Sequence, residues 1–213
     1  MSKHRFSQEE LDGVYRAIYQ RRDMRHFLPD PISEELLERL LAAAHMAPSV
    51  GLMQPWRFIR ITDKHLRKRI HALVEQERQR TADALNERRD AFMKLKVEGL
   101  LDCAEVLVVS LMNHREEHIF GRRTLPEMDL ASVSCAIQNI WLAARAEGIG
   151  VGWVSLFSPD ELALLLDMPK GSKPVAILCI GHVDQFYDEP MLEQEKWAYR
   201  GKLSDFIMEN GWE

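Results

Sequence analysis

The chain has 213 residues, 46% hydrophobic and 29% charged, with a formal net charge of −5. That length suits one domain with a substantial core. The acidic balance excludes a nucleic-acid binder, which needs a basic face, and no apolar run approaches the about 20 residues of a membrane span.

In chain order, the polar start MSKHRFSQEE reads without a secretory leader, so a cytoplasmic protein is expected. FSQEELDGVYRAIYQRR carries a capping box, Ser7 with Glu10, followed by apolar residues at helical spacing. PDPISEELLERLLAAAHMAP predicts a second helix, with Ser33 as N-cap and Pro48 as its stop. WRFIRIT alternates as a strand does. Residues 63–100 are mostly charged and helical, an excursion or lid packed outside the main sheet. AEVLVVSLM is a short apolar run typical of a buried strand. Residues 126–147 predict the longest helix, apolar or small around most of its circumference and so buried on several sides. GVGWVSLF predicts a strand, SPDELALLLDMP a helix capped by Ser158 with Pro159 at its first position, and PVAILCIGHVD a buried strand. Residues 185–213 form an irregular arm with scattered aromatics (Phe186, Tyr187, Trp197, Tyr199, Phe206, Trp212), which need a surface such as a second subunit. The expected architecture is a single α+β domain over residues 1–213, with helices around one mainly antiparallel or mixed sheet. The 3 cysteines, Cys103, Cys135 and Cys179, lie far apart in apolar runs without a C-x-x-C and read as buried thiols.

Two stretches have the composition of a binding site. RRDMR, residues 21–25, offers the guanidinium forks of Arg21, Arg22 and Arg25 to phosphate oxygens, or else simply charges a helix C-terminus in water. Asp23 in its middle would repel that same phosphate. MAPSVGLMQPWRF, residues 46–58, reads as a rigid loop exposing the hydroxyl of Ser49 and the amide of Gln54 ahead of Trp56 and Phe58. Such a loop suits an aromatic heterocycle, although an ordinary helix-to-strand connection has the same look. HREEH, residues 114–118, matches a zinc-protease pattern, but no third ligand or suitable helix accompanies it, so a solvated turn and no metal are expected. GIGVG follows a helix and precedes a strand, the reverse of a dinucleotide fingerprint.

Taken together, R-R-x-x-R after the first helix, A-P-S-x-x-x-x-Q-P-W after the second, and DLASVSCAIQNIWLAARAEGIGVGW resemble the FMN-dependent nitroreductase superfamily. Asp129, Ala136, Asn139, Leu142, Ala143, Ala144, Gly148 and Gly150 carry the third motif, and the resemblance runs from about residue 10 to 184. Most members have Ser where this chain has Asp23. That carboxylate, with Ser155 after GWV, is similar to the flavin-destroying branch, which turns reduced FMN and oxygen into 5,6-dimethylbenzimidazole, the lower ligand of vitamin B12.

The resemblance implies an oxidoreductase that is a homodimer, uses FMN and molecular oxygen, and receives reduced flavin from a separate flavin reductase. It implies Asp23 as a base kept ionised by the flanking arginines and aimed at the ribityl chain, and Ser155 as a hydrogen-bond donor to a peroxide or the ring edge. It implies flavin contacts from Arg21, Arg22, Met24 and Arg25, from Ser49 and Gln54 across a dimer interface, and from Gly152 and Trp153 against the ring. Lys96 is expected at the pyrimidine edge or simply in solvent, Arg200 at the phosphate, and Ser110 at the end of its strand. The alternatives are a conventional NAD(P)H-dependent nitroreductase or cobalt reductase, and a non-catalytic flavin carrier. Neither needs a carboxylate at the reactive end of the ligand.

Overall fold

The computed structural model describes residues 4–212; the first three residues of the polar start and residue 213 of the arm lie outside the described residues. Helix α1, Gln8–Gln20, begins at the expected capping box: Glu10 donates its amide to Ser7 Oγ, and its carboxylate accepts the Ser7 amide at 2.8 Å. Helix α2, Glu34–His45, is capped by Ser33 Oγ, which accepts the Leu36 amide at 3.2 Å. Strand β1 is Trp56–Arg60. The 63–100 segment contains α3, Lys64–Ala84, started by the Asp63 carboxylate, and α4, Arg89–Lys94. Strand β2, Glu105–Leu111, precedes the long helix α5, Met128–Ala146. Then come β3, Gly150–Val154; α6, Pro159–Leu165, with Ser158 as cap and Pro159 first; β4, Lys173–Gly181; and the short α7, Met191–Gln194.

The strands form a four-stranded sheet in the order β1-β2-β4-β3, with every neighbouring pair antiparallel. The central strands β2 and β4 are covered on both faces, which is why they read as unbroken apolar runs. Alternation sends Leu107, Val109 and Leu111 of β2 to one face, where they meet Leu37 and Leu40 of α2 and Ile137 and Ile140 of α5. Val106 and Val108 go to the other face, against Ile70 and Val74 of α3 and Leu162 of α6. The charged excursion thus contributes an apolar stripe to the second core, each side chain worth about 1.5–3 kcal/mol of burial. A third cluster joins Ala82, Phe92 and Leu95 to Trp197 of the arm.

Helix α5 differs from expectation. Its buried positions (Asp129, Ser132, Val133, Ala136, Ile137, Ile140, Ala144) follow one face, and its outer face leaves Leu130 and Cys135 exposed. Cys135 is therefore not the buried thiol that its apolar neighbours suggest, because the helix turns it away from the sheet; Cys103 and Cys179 are buried. Among the described residues no helix is long and apolar enough to cross a membrane.

Candidate functional site

The RRDMR segment leaves α1 at Gln20 in extended conformation and runs beside β3. Met24 donates its amide to Val151 O at 3.0 Å, and Asp23 pairs with Val151 as an isolated parallel bridge. The two-residue alternation of extended chain turns Met24 into the core, 1% exposed, and sends Asp23 and Arg25 to the opposite side. There the Asp23 carboxylate accepts the Trp153 amide through Oδ1 at 2.8 Å and pairs through Oδ2 with Arg25 Nη2, which also donates to Trp153 O at 2.9 Å. Gly152 makes this approach possible, since a Cβ there would stand 2.2 Å from Met24 O.

These groups open onto a cleft of about 880 Å³. Arg21, Arg22, Asp23, Arg25, Trp153, Ser155 and Arg200, all expected at the site, line it. Leu85, Phe92, Leu95 and Val97 of the excursion, Leu156 just past β3 and Trp197 of the arm supply an apolar wall. Burial pushes the Asp23 carboxyl above the usual aspartate range; Arg25, the Trp153 amide and Arg21 pull it back without cancelling the rise. Burial likewise depresses the Arg21 guanidinium, Asp23 opposes this, and Arg200 and Arg22 depress it further. Cations that disfavour one another at the mouth of a cleft favour an anion between them.

The three arginines have different surroundings. Arg21 lies over the Trp141 ring, 4.8 Å from its centroid. Arg22 donates to the main-chain oxygens of Tyr19, Arg21 and Asp188, fastening the root of the arm. Arg25 is the partner of Asp23.

The remaining expected residues stand elsewhere. Met24 and Gly152 lie behind the wall as packing. Ser49 Oγ accepts the Gln54 amide at 3.0 Å in a loop that lines no part of this cleft. Lys96 pairs with Asp102 at 2.7 Å beside a separate shallow pocket. Ser110 is buried within β2. HREEH contains a 3-10 turn, Arg115–Glu117, with His114 exposed. His71, Glu75 and Glu98 place ligand atoms within 4.8 Å of one another, yet Glu75 is paired with Arg78 and Glu98 accepts the Leu100 amide.

Sequence reasoning missed Trp141, whose indole N–H donates to Arg22 O at 3.0 Å and to Val151 O at 3.1 Å, tying the segment to β3. It also missed Tyr187 as a support for the RRDMR segment: its hydroxyl accepts the Arg25 amide at 3.3 Å and lies 2.7 Å from His26 Nδ1. The aromatic density of the arm was the available signal.

Comparison with known proteins bears on this geometry. The family model described as "Nitroreductase family" matches residues 18–182. A protein of Rhodospirillum rubrum named 5,6-dimethylbenzimidazole synthase is 42% identical over 194 residues, covering 89% of this chain and 90% of that one. A protein of Rhodobacter capsulatus with the same name is 38% identical over 196 residues, covering 90% and 94%. Among solved structures, oxidized iodotyrosine deiodinase bound to FMN and 3-iodo-L-tyrosine superposes with a TM-score of 0.71 at 21% identity, covering 93% of this chain and 98% of that one. The family match spans most of the chain and the relatives align along nearly their whole length, so the chain belongs to the nitroreductase family.

Proposed function

We propose that this protein converts reduced FMN and molecular oxygen to 5,6-dimethylbenzimidazole. The observation that carries the reading is the Asp23 carboxylate, fixed on the cleft wall by the Trp153 amide, with Ser155 just past the same strand. The relatives that bear this activity in their names, 42% and 38% identical, support it.

The residues present fit FMN. Arg21 and Arg200 form a cationic end suited to a phosphate, and the apolar wall with Trp153 suits a planar tricycle. Bound reduced FMN supplies the ring atoms of the product and the electrons that oxygen accepts. The chain supplies placement and proton movement. With FMN held there, Asp23 would be the group that takes up a proton at the ribityl end. Its burial makes it a stronger base than a solvated aspartate, while Arg25 and the Trp153 amide favour the charged form. Ser155 offers a hydroxyl to the ring edge or the reacting oxygen. Phe92, Leu156 and Trp197 exclude water from that end.

The same reading makes the protein a cytoplasmic homodimer supplied by a separate flavin reductase. Ser49 and Gln54, remote from this chain's own cleft, would then serve the flavin of a second copy. Mixing the protein with chemically reduced FMN, admitting air and separating the products by chromatography tests the proposal. Dimethylbenzimidazole is the expected product. Simple reoxidation to FMN overturns the reading, and NAD(P)H turnover by the protein alone would assign it to the conventional reductases.

A further inference from the structure

RRDMR presents three arginines around one acid as equivalents, and their geometry sets Arg25 apart. Arg22 is committed to three main-chain oxygens, and Arg21 lies over Trp141. Arg25 runs beside β3 with its side chain only 9% exposed. Its Nη2 meets both Asp23 Oδ2 and Trp153 O, while the Trp153 amide meets Asp23 Oδ1. Acid and base are thus clamped to the N–H and C=O of one residue. The clamp closes only because position 152 lacks a side chain; a Cβ there would stand 2.9 Å from Arg25 Nη1. Arg25 Nε and Nη1 have no hydrogen-bond partner among the described residues, so Asp23 is the group that compensates a buried cation.

We propose that Arg25 is a positioning residue for Asp23: it holds Oδ2 while the Trp153 amide holds Oδ1, so the direction and charge of the acid depend on Arg25 more than on Arg21 or Arg22. The proposal rests on the reading of Asp23 as the proton acceptor. The charged and titratable groups around the pair are Arg21 and Arg22 on the same segment, Arg200 acting on Arg21 from the arm, Tyr187 on the Arg25 amide with His26 beyond it, and Cys179 of β4, which feels the Arg25 charge. Among the described residues, Arg25 is the side chain in hydrogen-bond contact with the Asp23 carboxylate.

The test is a carbon-13 titration of aspartate carboxyls in the full-length, ligand-free protein, with Asp23 assigned from Asp23→Asn. In Arg25→Met the Asp23 midpoint should rise by at least about one pH unit, the size of a lost opposite charge at contact distance. The acid limb of the product-formation profile should move with it, with kcat falling more than KM. In Arg25→Lys the rise should be smaller, because the positive charge is kept, but still present, because one ammonium cannot reproduce the two-sided fork. An Asp23 titration unmoved in natively folded Arg25→Met overturns the proposal. Should that variant not fold, an Arg25→Lys titration superimposable on the wild type overturns it. Product formation by Asp23→Asn at the wild-type rate would sink the reading of Asp23 as proton acceptor instead, and the titration would still decide whether Arg25 holds the carboxylate.

Discussion

The Asp23 carboxylate accepts the main-chain N–H of Trp153 at 2.8 Å across a separation of 130 residues. This contact resolves the puzzle of an acid among phosphate-binding cations. The carboxylate is anchored sideways to a strand, and its nearest cation is a buried one.

Asp23→Asn keeps an oxygen for the Trp153 amide but removes the charge. If Asp23 is the base, product formation should fall by roughly 100-fold or more, the usual worth of a positioned base. FMN affinity, followed by flavin fluorescence, should change only a few-fold, since Arg21 and Arg200 are untouched.

Acid dependence carries a definite sign. Burial raises the folded Asp23 pKa above its unfolded value. Between the two values the native state holds more protons than the unfolded chain, so the contribution of Asp23 to stability is fully present below the unfolded value and declines as pH rises through the folded one. Melting temperatures of wild type and Asp23→Asn across that interval should move in favour of Asn with rising pH. Activity should likewise fade on the acid side at a higher pH than a solvated aspartate would give.

Trp197 joins the arm to the excursion. Arg88 lies over its ring at 3.5 Å and donates to its carbonyl at 3.0 Å, and the Phe92 ring sits 6.1 Å away. Trp197→Ala should release residues 198–212 to limited proteolysis and weaken flavin retention, with Arg88→Ala removing about 0.5–1 kcal/mol of the same attachment. Protease mapping and flavin titration check both.

Asp129 is a buried acid with a purely structural assignment. Its carboxylate takes Arg115 at 2.9 Å, Arg122 at 3.1 Å and the Leu130 amide at 2.7 Å, holding the loop before α5 to its helix. Asp129→Ala leaves two cations with little compensation and should lower the unfolding free energy by roughly 3–5 kcal/mol in urea titrations.

Local chemistry is what the sequence makes legible. The Ser7–Glu10 box, the Ser33 and Ser158 caps, Pro159 and the apolar strand runs act within a few residues, and each appears where its pattern predicts. The order β1-β2-β4-β3 is set by contacts between distant segments, which no periodicity encodes. The same holds for the site. RRDMR marks the place, but the division of labour among Arg21, Arg22 and Arg25 depends on Asp188, Trp141 and Trp153, which lie more than a hundred residues away. Cys135 misleads because composition cannot tell the two faces of an apolar helix apart. The turn before β1 needs positive φ at Leu52 and Gln54, 53° and 48°, which non-glycine residues seldom announce.

The bridge between Asp23 and Val151 has a second consequence. Strand β3 is the last in the sheet, and its outer rim would otherwise offer free main-chain groups to any passing strand. The Met24 amide occupies Val151 O, and the Asp23 carboxylate occupies the Trp153 amide. The residues that form the cleft wall also close the border of the sheet. Loosening them would therefore expose an adhesive ribbon as well as disturb the cleft, and soluble yield would fall along with turnover.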